Sequence, residues 1–340
     1  MIKQAYEDLT KINLLDFHEK SILVLGAGYI AEEYVIALSK LKIKNITILG
    51  NTKKNLQKFK RFSNVKIISG GYEKNLSKIT KKDLVIIALP IPKLILAAKK
   101  VIDYGHDKIL IEKPGSIFKK ELIEFEKLMK KENIFIAYNR FFYPGFHKLK
   151  LLSENEGGIT SCKFDFTEWL HTIEVKKYDK DVCERWGISN SLHVISMVIG
   201  LIGFPKKISA YQFGSIKWHP TGSIFVGSGL SENEIPFSYH ANWGGGGRWG
   251  IEVVTRENVY RLTPLEKLFV SKKGSTEWKE IQLQKSFLGV KEGVAEEIAT
   301  ILNDKLNKKI GMINLKDAIK FNRIAEEIFG YKDKGKNKIK

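Results

Sequence analysis

The chain has 340 residues, 43% of them hydrophobic and 28% charged, which is the composition of a globular protein with two ordinary domains and excludes a disordered chain. The net charge of +19 would suit a polyanionic partner, but only seven of the 57 basic residues are arginine and the lysines are scattered. We therefore expect no nucleic-acid partner, and because the apolar runs are short we expect no membrane partner.

The two cysteines, Cys162 and Cys183, have no close cysteine or histidine at the spacing of metal ligands. We expect them to be free thiols in a reducing compartment, and we predict no metal site. The first twenty residues mix acids and bases without the basic-then-apolar pattern of a secretory leader, so a cytoplasmic location is expected.

Residues 1–140 alternate between short apolar runs and segments with helical spacing. The predicted strands are 21–26, 45–49, 65–69, 83–89, 108–112 and 134–138, and the predicted helices are 29–41, 53–62, 92–105 and 118–133. Strands separated by such helices form parallel βαβ units, so we expect an α/β Rossmann domain with a doubly wound parallel sheet. Such a sheet binds ligands beyond the carboxyl ends of its strands.

The first predicted strand runs directly into Gly-Ala-Gly-Tyr-Ile-Ala, from Gly26 to Ala31, where the first helix begins. Gly26 permits a tight turn, Gly28 lets the backbone approach a pyrophosphate, and Ala31 lets the helix pack closely on the sheet. The N–H groups at the start of the helix attract phosphate. In this position between a strand and a helix, the pattern predicts a dinucleotide-binding turn.

The end of the second strand chooses between NAD and NADP. An acidic residue there would bind the ribose 2′-hydroxyl and repel a 2′-phosphate, but the sequence has Asn51, Thr52, Lys53 and Lys54. This favours NADP, with NAD possible. The residues expected to bind the dinucleotide are Gly26, Ala27, Gly28, Tyr29, Ile30, Asn51, Thr52, Lys53, Leu89, Pro90, Glu112 and Lys113.

Lys113 follows the fifth predicted strand, so it is expected at the edge of the sheet where a nicotinamide would lie. A solvent-facing turn lysine is the alternative, since the chain is rich in lysine. Glu112 points to the other side of the strand, and we assign it no chemical role.

After Gly157 and Gly158 the pattern changes to runs in which every second residue is apolar. This predicts a mostly antiparallel sheet with one face covered, in an α+β domain over residues 141–330, followed by a basic tail at 331–340. Two helices are predicted, at 189–203 and 293–306, and we expect the C-terminal helix to pack back on the first domain. The stretch from His240 to Gly250, with four successive glycines, is expected at the tip of a hairpin.

The segments GAGYIA, ALPIPKLILAAKKVIDYG, IEKPGS and AYNRFFYPGFHKLK follow one another as in the Gfo/Idh/MocA oxidoreductases, which the chain resembles along nearly its whole length. The resemblance implies an open-faced sheet that makes a homodimer or homotetramer. It also implies that Lys113 acts beside the nicotinamide and the substrate hydroxyl, and that Tyr138 and Asn139 form the tyrosine–asparagine pair of the substrate site.

In many members of that family the helix facing the cofactor carries Asp-x-x-x-His, and here the matching positions are Ser189 and His193. The histidine is kept and the aspartate is not, so the family's proton path does not transfer whole. Asn190 is then expected to orient the substrate. Leu94 is a second departure, because relatives often have a histidine there.

The chemistry implied is hydride transfer between a nicotinamide and a secondary alcohol or ketone, with Lys113 and His193 as catalytic residues. An imidazole with a pKa near 6.5 can exchange the hydroxyl proton at neutral pH. Lys113 needs a pKa lowered from about 10.4 to act as a base; otherwise it stabilises the alkoxide. The sequence leaves both roles open.

The substrate expected is a sugar, a sugar phosphate or a nucleotide sugar, and such a substrate would suit surface polysaccharide synthesis. Trp243 and Trp249 can stack on sugars or bases, and Arg248 can bind phosphate, although a subunit-interface loop would explain the same stretch. The residues expected to bind substrate are Tyr138, Asn139, Arg140, Arg185, Trp186, Ser189, Asn190 and Arg248. Two alternatives remain: a dinucleotide-binding regulator or scaffold without catalysis, and a bile-pigment-type reductase of the same fold.

Overall fold

The computed structural model describes residues 2–129 and 133–332, and within these ranges the chain forms two sheets with helices packed on them. The expected basic tail at 331–340 lies outside the described residues from position 333 onward. Tyr331, by contrast, is buried.

The first sheet has six strands that are all parallel, as the sequence predicted, and they lie in the order β3-β2-β1-β4-β5-β6. The strands are β1 (Ser21–Leu25), β2 (Asn45–Gly50), β3 (Val65–Ser69), β4 (Leu84–Ile87), β5 (Ile109–Glu112) and β6 (Ile134–Ala137). All four residues of β4 are fully buried, because helices cover both faces of the sheet. This is the predicted Rossmann architecture.

The helices of this half are α1 (Ile2–Thr10), α2 (Tyr29–Lys40), α3 (Lys53–Leu56), α4 (Tyr72–Asn75), α5 (Leu94–Asp103) and α6 (Lys119–Leu128). The sequence analysis missed α1 and α4. The helix predicted at 53–62 is instead the single turn α3 followed by a 3-10 helix, Gln57–Arg61.

The second sheet has eight strands in the order β14-β13-β12-β11-β7-β10-β9-β8. They are β7 (Ser161–Asp165), β8 (Pro205–Phe213), β9 (Ile224–Ser231), β10 (Pro236–Asn242), β11 (Gly250–Val254), β12 (Asn258–Leu262), β13 (Leu268–Lys272) and β14 (Lys279–Ile281). Neighbouring strands are antiparallel except β7 and β10, which are parallel. The predicted fold class is therefore confirmed for this half also.

The remaining helices are α7 (Pro144–Asn155), α8 (Lys180–Glu184), α9 (Leu192–Ile202), α10 (Val294–Leu302), α11 (Asp304–Ile310) and α12 (Leu315–Phe329). α9 packs on β7 and β11, and α12 packs on β8 and β9, so one face of the second sheet is covered. α12 also contacts α6, and α10 contacts α2. The C-terminal helices thereby join the second half of the chain to the first.

Three predicted elements of the second half differ from the structure. The helix expected at 293–306 is two helices, because Asn303 leaves the helical conformation and its side chain accepts hydrogen bonds from the N–H groups of Lys305 and Leu306, capping α11. The helix expected at 189–203 begins instead with a π-helical turn, Gly187–Ser191, which leads into α9.

The four glycines are not at a hairpin tip, which corrects the third expectation. β10 and β11 lie on opposite sides of β7, so the segment from Trp243 to Trp249 crosses the end of β7 to connect them. Alternation within each strand reports which face a side chain occupies, but it carries no information about which strands are neighbours.

Cys162 and Cys183 are free. In the part of the chain that the structure describes, no cluster of three or more His, Cys, Asp or Glu side chains could hold a metal ion. Nor does any helix between residues 2–129 or 133–332 have the length and apolarity needed to cross a membrane.

Candidate active site

The turn between β1 and α2 has the backbone shape that a dinucleotide requires. Gly26 has φ of +119°, and a Cβ there would lie 2.1 Å from the carbonyl oxygen of Ala88, so only glycine fits. Gly28 precedes the twelve-residue α2, and among the described atoms nothing lies within 4 Å of where its Cβ would be. The backbone is therefore open for close approach of a phosphate at a helix N-terminus.

A cavity of about 390 Å³ lies over this turn, between the ends of β1, β2 and β4. Seven of the residues predicted to bind the dinucleotide line it: Gly26, Ala27, Gly28, Ile30, Asn51, Leu89 and Pro90. Glycines at the turn and amides beside the second strand suit a pyrophosphate and ribose hydroxyls. The sequence analysis missed the lining side chains of Asn55, Tyr72 and Lys93, which lie outside the motif.

Tyr29, Thr52 and Lys53 do not line this cavity. The Tyr29 side chain is exposed, with the ammonium of Lys291 5.4 Å from its ring centroid. Thr52 caps α3, because its hydroxyl oxygen accepts a hydrogen bond from the N–H of Asn55. Lys53 is exposed.

Lys113 reaches from the end of β5 to the second half of the chain, where its ammonium donates a hydrogen bond to the carbonyl oxygen of Ser189. Burial lowers the pKa of Lys113 to about 8, against the opposing charges of Glu112 and Glu168. Lys113 is therefore not a solvent-facing turn residue.

Glu112 belongs to a buried cluster under α2. Its carboxylate accepts a hydrogen bond of 2.6 Å from the Tyr34 hydroxyl. Burial raises the pKa of Glu112, and burial together with the charge of Glu112 raises the pKa of Glu297 on α10 far above its usual range. The structure thus places Glu112 against α2 and α10, which provides no support for its expected contact with the dinucleotide.

His193, in the first turn of α9, lies one helical turn after the carbonyl group that binds Lys113. Its ring centroid is 6.0 Å from that of Trp249. Burial and the charges of Lys113, Arg140 and Lys291 lower the pKa of His193 well below 6.5, which corrects the expectation that it titrates near neutrality. Its buried Nδ1 has no partner among the described residues, so a neutral imidazole keeps one nitrogen free.

Ser189 contacts Lys113 through its backbone carbonyl group and not through its hydroxyl group. Its hydroxyl donates weakly to the carbonyl oxygens of Val182 and Trp186, at 3.4 and 3.3 Å, whereas its carbonyl oxygen receives the Lys113 ammonium. The carbonyl group belongs to the π-helical turn, a feature common at functional sites because it alters the normal helix bonding.

Glu168, which the sequence analysis missed, is a buried carboxylate at this site. It follows β7, is 2% exposed, and accepts hydrogen bonds from Ser191 Oγ at 2.5 Å and Asn190 Nδ2 at 2.9 Å. Asn190 is therefore occupied by a protein partner and does not point freely at substrate. A lone glutamate after an alternating strand has no sequence pattern that would identify it.

Two guanidinium groups lie over the buried ring of Trp249. The Arg140 and Arg248 Cζ atoms are 5.0 and 4.4 Å from its centroid, and Arg248 is also 4.7 Å from the Trp169 ring. Arg140 donates to the Tyr143 hydroxyl at 3.0 Å. Arg248 is 38% exposed and pairs with Glu168 only at 3.7 Å, so its hydrogen-bonding capacity is not fully used.

Four residues expected to bind substrate have structural partners instead. Arg185 is buried, and its guanidinium donates to the carbonyl oxygens of Ile117 and Lys332 and to the carboxylate of Glu326. Trp186 is buried against the rings of Tyr178 and Trp218. The two side chains connect α8 and the π-helical turn to their neighbours, and their expected contact with substrate receives no support from the structure.

Tyr138 is buried against Phe141 and Phe321, and Asn139 donates to the carbonyl oxygen of Glu292 at 2.9 Å. Both residues support the segment that carries Arg140. Their expected contact with substrate therefore receives no support from the structure.

Comparison with known proteins gives one match to a family profile, that of shikimate/quinate 5-dehydrogenase, over residues 8–111. A search of curated proteins finds no match. Solved structures with similar folds are numerous.

One is UDP-N-acetylglucosamine 3-dehydrogenase GnnA from Acidithiobacillus ferrooxidans, with 12% identity, a TM-score of 0.70 and coverage of 92% of this chain and 98% of that one. A second is levoglucosan dehydrogenase in complex with NADH and L-sorbose, at 15% identity and a TM-score of 0.72, covering 92% and 96%.

A third similar structure is a super-repressor mutant of Gal80p from Saccharomyces cerevisiae, at 13% identity and a TM-score of 0.71, covering 91% and 94% of the two chains. Together with the two sheets described above, these similarities show that the chain has the two-domain fold of the Gfo/Idh/MocA-type oxidoreductases.

Proposed function

We propose that the protein is an NAD(P)-dependent oxidoreductase that interconverts a secondary alcohol and a ketone on a sugar, a sugar phosphate or a nucleotide sugar. The observation that carries the proposal is the hydrogen bond from Lys113 to the Ser189 carbonyl group. This bond supports the proposal because it joins a lysine with a lowered pKa to the turn that leads to His193, at the carboxyl edge of a sheet whose first turn suits a dinucleotide.

The nicotinamide, when bound, would supply the hydride chemistry, and this chain's residues would handle the proton. Neutral Lys113 accepts the hydroxyl proton as the alcohol is oxidised, and the ammonium form donates it to the ketone oxygen in the reverse direction. His193 cannot be the main acid because it stays neutral. Its free nitrogen instead orients the hydroxyl group.

NADP remains the favoured cofactor, with NAD possible, because the segment after β2 contains Lys53 and Lys54 and lacks an acidic residue. The substrate class rests on Arg248, whose partly exposed guanidinium lies between the Trp169 and Trp249 rings. Such a group can bind a phosphate while the exposed ring of Trp169 contacts a sugar. UDP-N-acetylglucosamine and levoglucosan, after which two of the similar enzymes are named, belong to the same general class.

The test is fluorescence titration with NADPH and NADH, followed by an absorbance screen at 340 nm with sugars, sugar phosphates and nucleotide sugars. Lys113→Ala and His193→Ala should each reduce turnover by roughly a hundredfold or more. Dinucleotide affinity should stay within a few fold of the wild-type value. Equal loss of dinucleotide binding in both variants would contradict these assignments.

A non-catalytic regulator is the second candidate, because a repressor, Gal80p, has the same fold. Tight dinucleotide binding without turnover on the whole panel would favour it. A bile-pigment-type reductase is less well supported, since the site contains Arg140, Glu168, Asn190 and Arg248 where an apolar cleft would be needed.

We also propose a homodimer or homotetramer formed through the uncovered face of the second sheet. Tyr211 and Phe213 on β8 are large side chains that are more than half exposed. Light scattering coupled to size-exclusion chromatography gives the mass, and a monomer at micromolar concentration would exclude this assembly.

A further inference from the structure

We propose that Glu168 is a positioning residue of the active site, whose carboxylate holds the π-helical turn and Arg248 in place and provides the negative charge that Lys113 faces from the second half of the chain. This inference rests on the proposed function for its kinetic consequences but not for its structural ones.

Glu168 is held in place by its own backbone neighbours. The N–H of Thr167 donates to Asp165 Oδ1 at 2.6 Å, and the Thr167 hydroxyl oxygen accepts from the N–H of Asn242 at 3.0 Å. Trp243 Nε1 donates to the carbonyl oxygen of Phe166 at 3.3 Å. The crossing segment between β10 and β11 thus anchors the residues immediately before Glu168.

From this position the carboxylate binds the turn that carries the Lys113 contact. Ser191 and Asn190 donate to its two oxygens, and Ser189, whose carbonyl oxygen accepts the Lys113 hydrogen bond, is the residue just before them. A displacement of this turn would move the Ser189 carbonyl group and His193 together. Because catalysis is sensitive to shifts of about 1 Å, the carboxylate controls the geometry of both residues.

Burial raises the pKa of Glu168, whereas the cations around it and the hydrogen bonds from Ser191 and Asn190 favour its charged form. Arg248 lies 3.7 Å away, and Lys113 and Glu168 interact electrostatically. The charged or titratable groups facing Lys113 are Glu112 from β5, Arg140 from the turn after β6, Glu168 from the end of β7 and His193 from α9. Glu168 is the only carboxylate of this set on the second sheet, so its loss would leave cations facing one another there.

A glutamine in its place retains the size of the side chain and removes the charge. We therefore expect Glu168→Gln to lower the pKa of Lys113 by roughly one unit. Competitive acetylation of lysines as a function of pH, with Lys113 quantified by mass spectrometry, measures this pKa without substrate or turnover. Ser191→Ala removes one hydrogen bond but keeps the charge, so the Lys113 pKa should stay at the wild-type value.

Glu156→Gln is the matched control. Glu156 is a partly buried carboxylate that, like Glu168, accepts hydrogen bonds from an asparagine and a hydroxyl group. Its donors are Asn258, Thr255 and Tyr260, and it lies at the C-terminal end of α7. Its replacement should cost stability and leave the Lys113 pKa unchanged. If Glu168→Gln behaves like this control, the proposal is overturned.

If Glu168→Gln does not fold, Glu168→Asp keeps the charge and shortens the side chain by one methylene. It should reduce kcat at least tenfold while Lys113 keeps its wild-type pKa, and an unchanged kcat would refute the positioning role. The two proposals can fail separately. If the wild-type protein is inactive but Glu168→Gln still lowers the pKa of Lys113, only the enzyme proposal is refuted.

Discussion

The two sides of the candidate site are built in different ways. The dinucleotide side consists of consecutive residues at one turn, Gly26–Gly28, with further contributions from the adjacent strand ends. The substrate side takes Lys113, Arg140, Glu168, His193 and Arg248 from five separate segments. The first depends on backbone conformation and the second on charges held at fixed positions.

Because of this difference, the two sides are disrupted by different kinds of substitution. A backbone turn fails when a side chain is added, because no rearrangement removes a Cβ that meets a carbonyl oxygen. A charged network fails when a charge is removed or titrated, because its remaining members are buried and unbalanced.

Gly26→Ala should show the largest effect. The added Cβ would meet the Ala88 carbonyl oxygen at 2.1 Å, and φ of +119° is unfavourable for alanine. We expect a loss of about 2 kcal/mol or more in the free energy of unfolding and at least a hundredfold weaker dinucleotide binding. Urea denaturation and fluorescence titration measure the two quantities.

Gly28→Ala is the control at the same turn. Its φ of −79° is ordinary and its surroundings are open, so stability should hold while the methyl group weakens dinucleotide binding about tenfold. If both variants bind the dinucleotide as the wild type does, the turn is not the phosphate site.

The reaction rate should depend on pH through Lys113, one of the charged groups on the substrate side. With the pKa of Lys113 lowered to about 8, the neutral base needed for alcohol oxidation is depleted below that pH. The kcat/KM for oxidation should therefore fall tenfold per pH unit below about 8, and that for ketone reduction should fall above it. Initial rates from pH 5.5 to 10 test this. An inflection of the pH–rate profile near pH 6.5 would indicate that His193 exchanges the proton instead of Lys113.

Arg248→Gln should have a smaller effect than Gly26→Ala or the change of pH. Loss of the guanidinium should raise KM about tenfold for a phosphorylated substrate, with kcat within a few fold and dinucleotide affinity unchanged. The control is Arg261→Gln, because Arg261 also lies over a tryptophan, Trp278, at 3.9 Å and pairs with a glutamate, Glu252. An equal rise in KM for uncharged sugars would argue against phosphate recognition.

Local patterns predicted the first sheet well. Apolar strands, helical spacing and the glycine turn were all visible because each depends on residues near one another in the chain. The same reasoning failed for the single-turn helices and for the break at Asn303, where one residue changes role from helix interior to helix cap.

The same limit applied to the site residues: those marked by local sequence position could be predicted, and those that depend on tertiary contacts could not. The turn glycines and Lys113 follow strands and could be found by their position. Arg185 and Trp186 resembled ligands by residue type, but tertiary packing engages both with protein. Glu168 was not identified from the sequence, because only the fold brings it close to Asn190 and Ser191.

Residue patterns alone were enough to predict the parallel sheet, the dinucleotide turn and the position of Lys113, because strand positions and turn shape follow from short-range patterns of size and polarity. Only the tertiary structure decided the electrostatics: that His193 is neutral, that the pKa of Lys113 is lowered to about 8, and that Glu168 is the nearby carboxylate on the second sheet. The reason is physical, since a pKa depends on burial and on charges a few ångströms away in space, and these come from segments far apart in the chain.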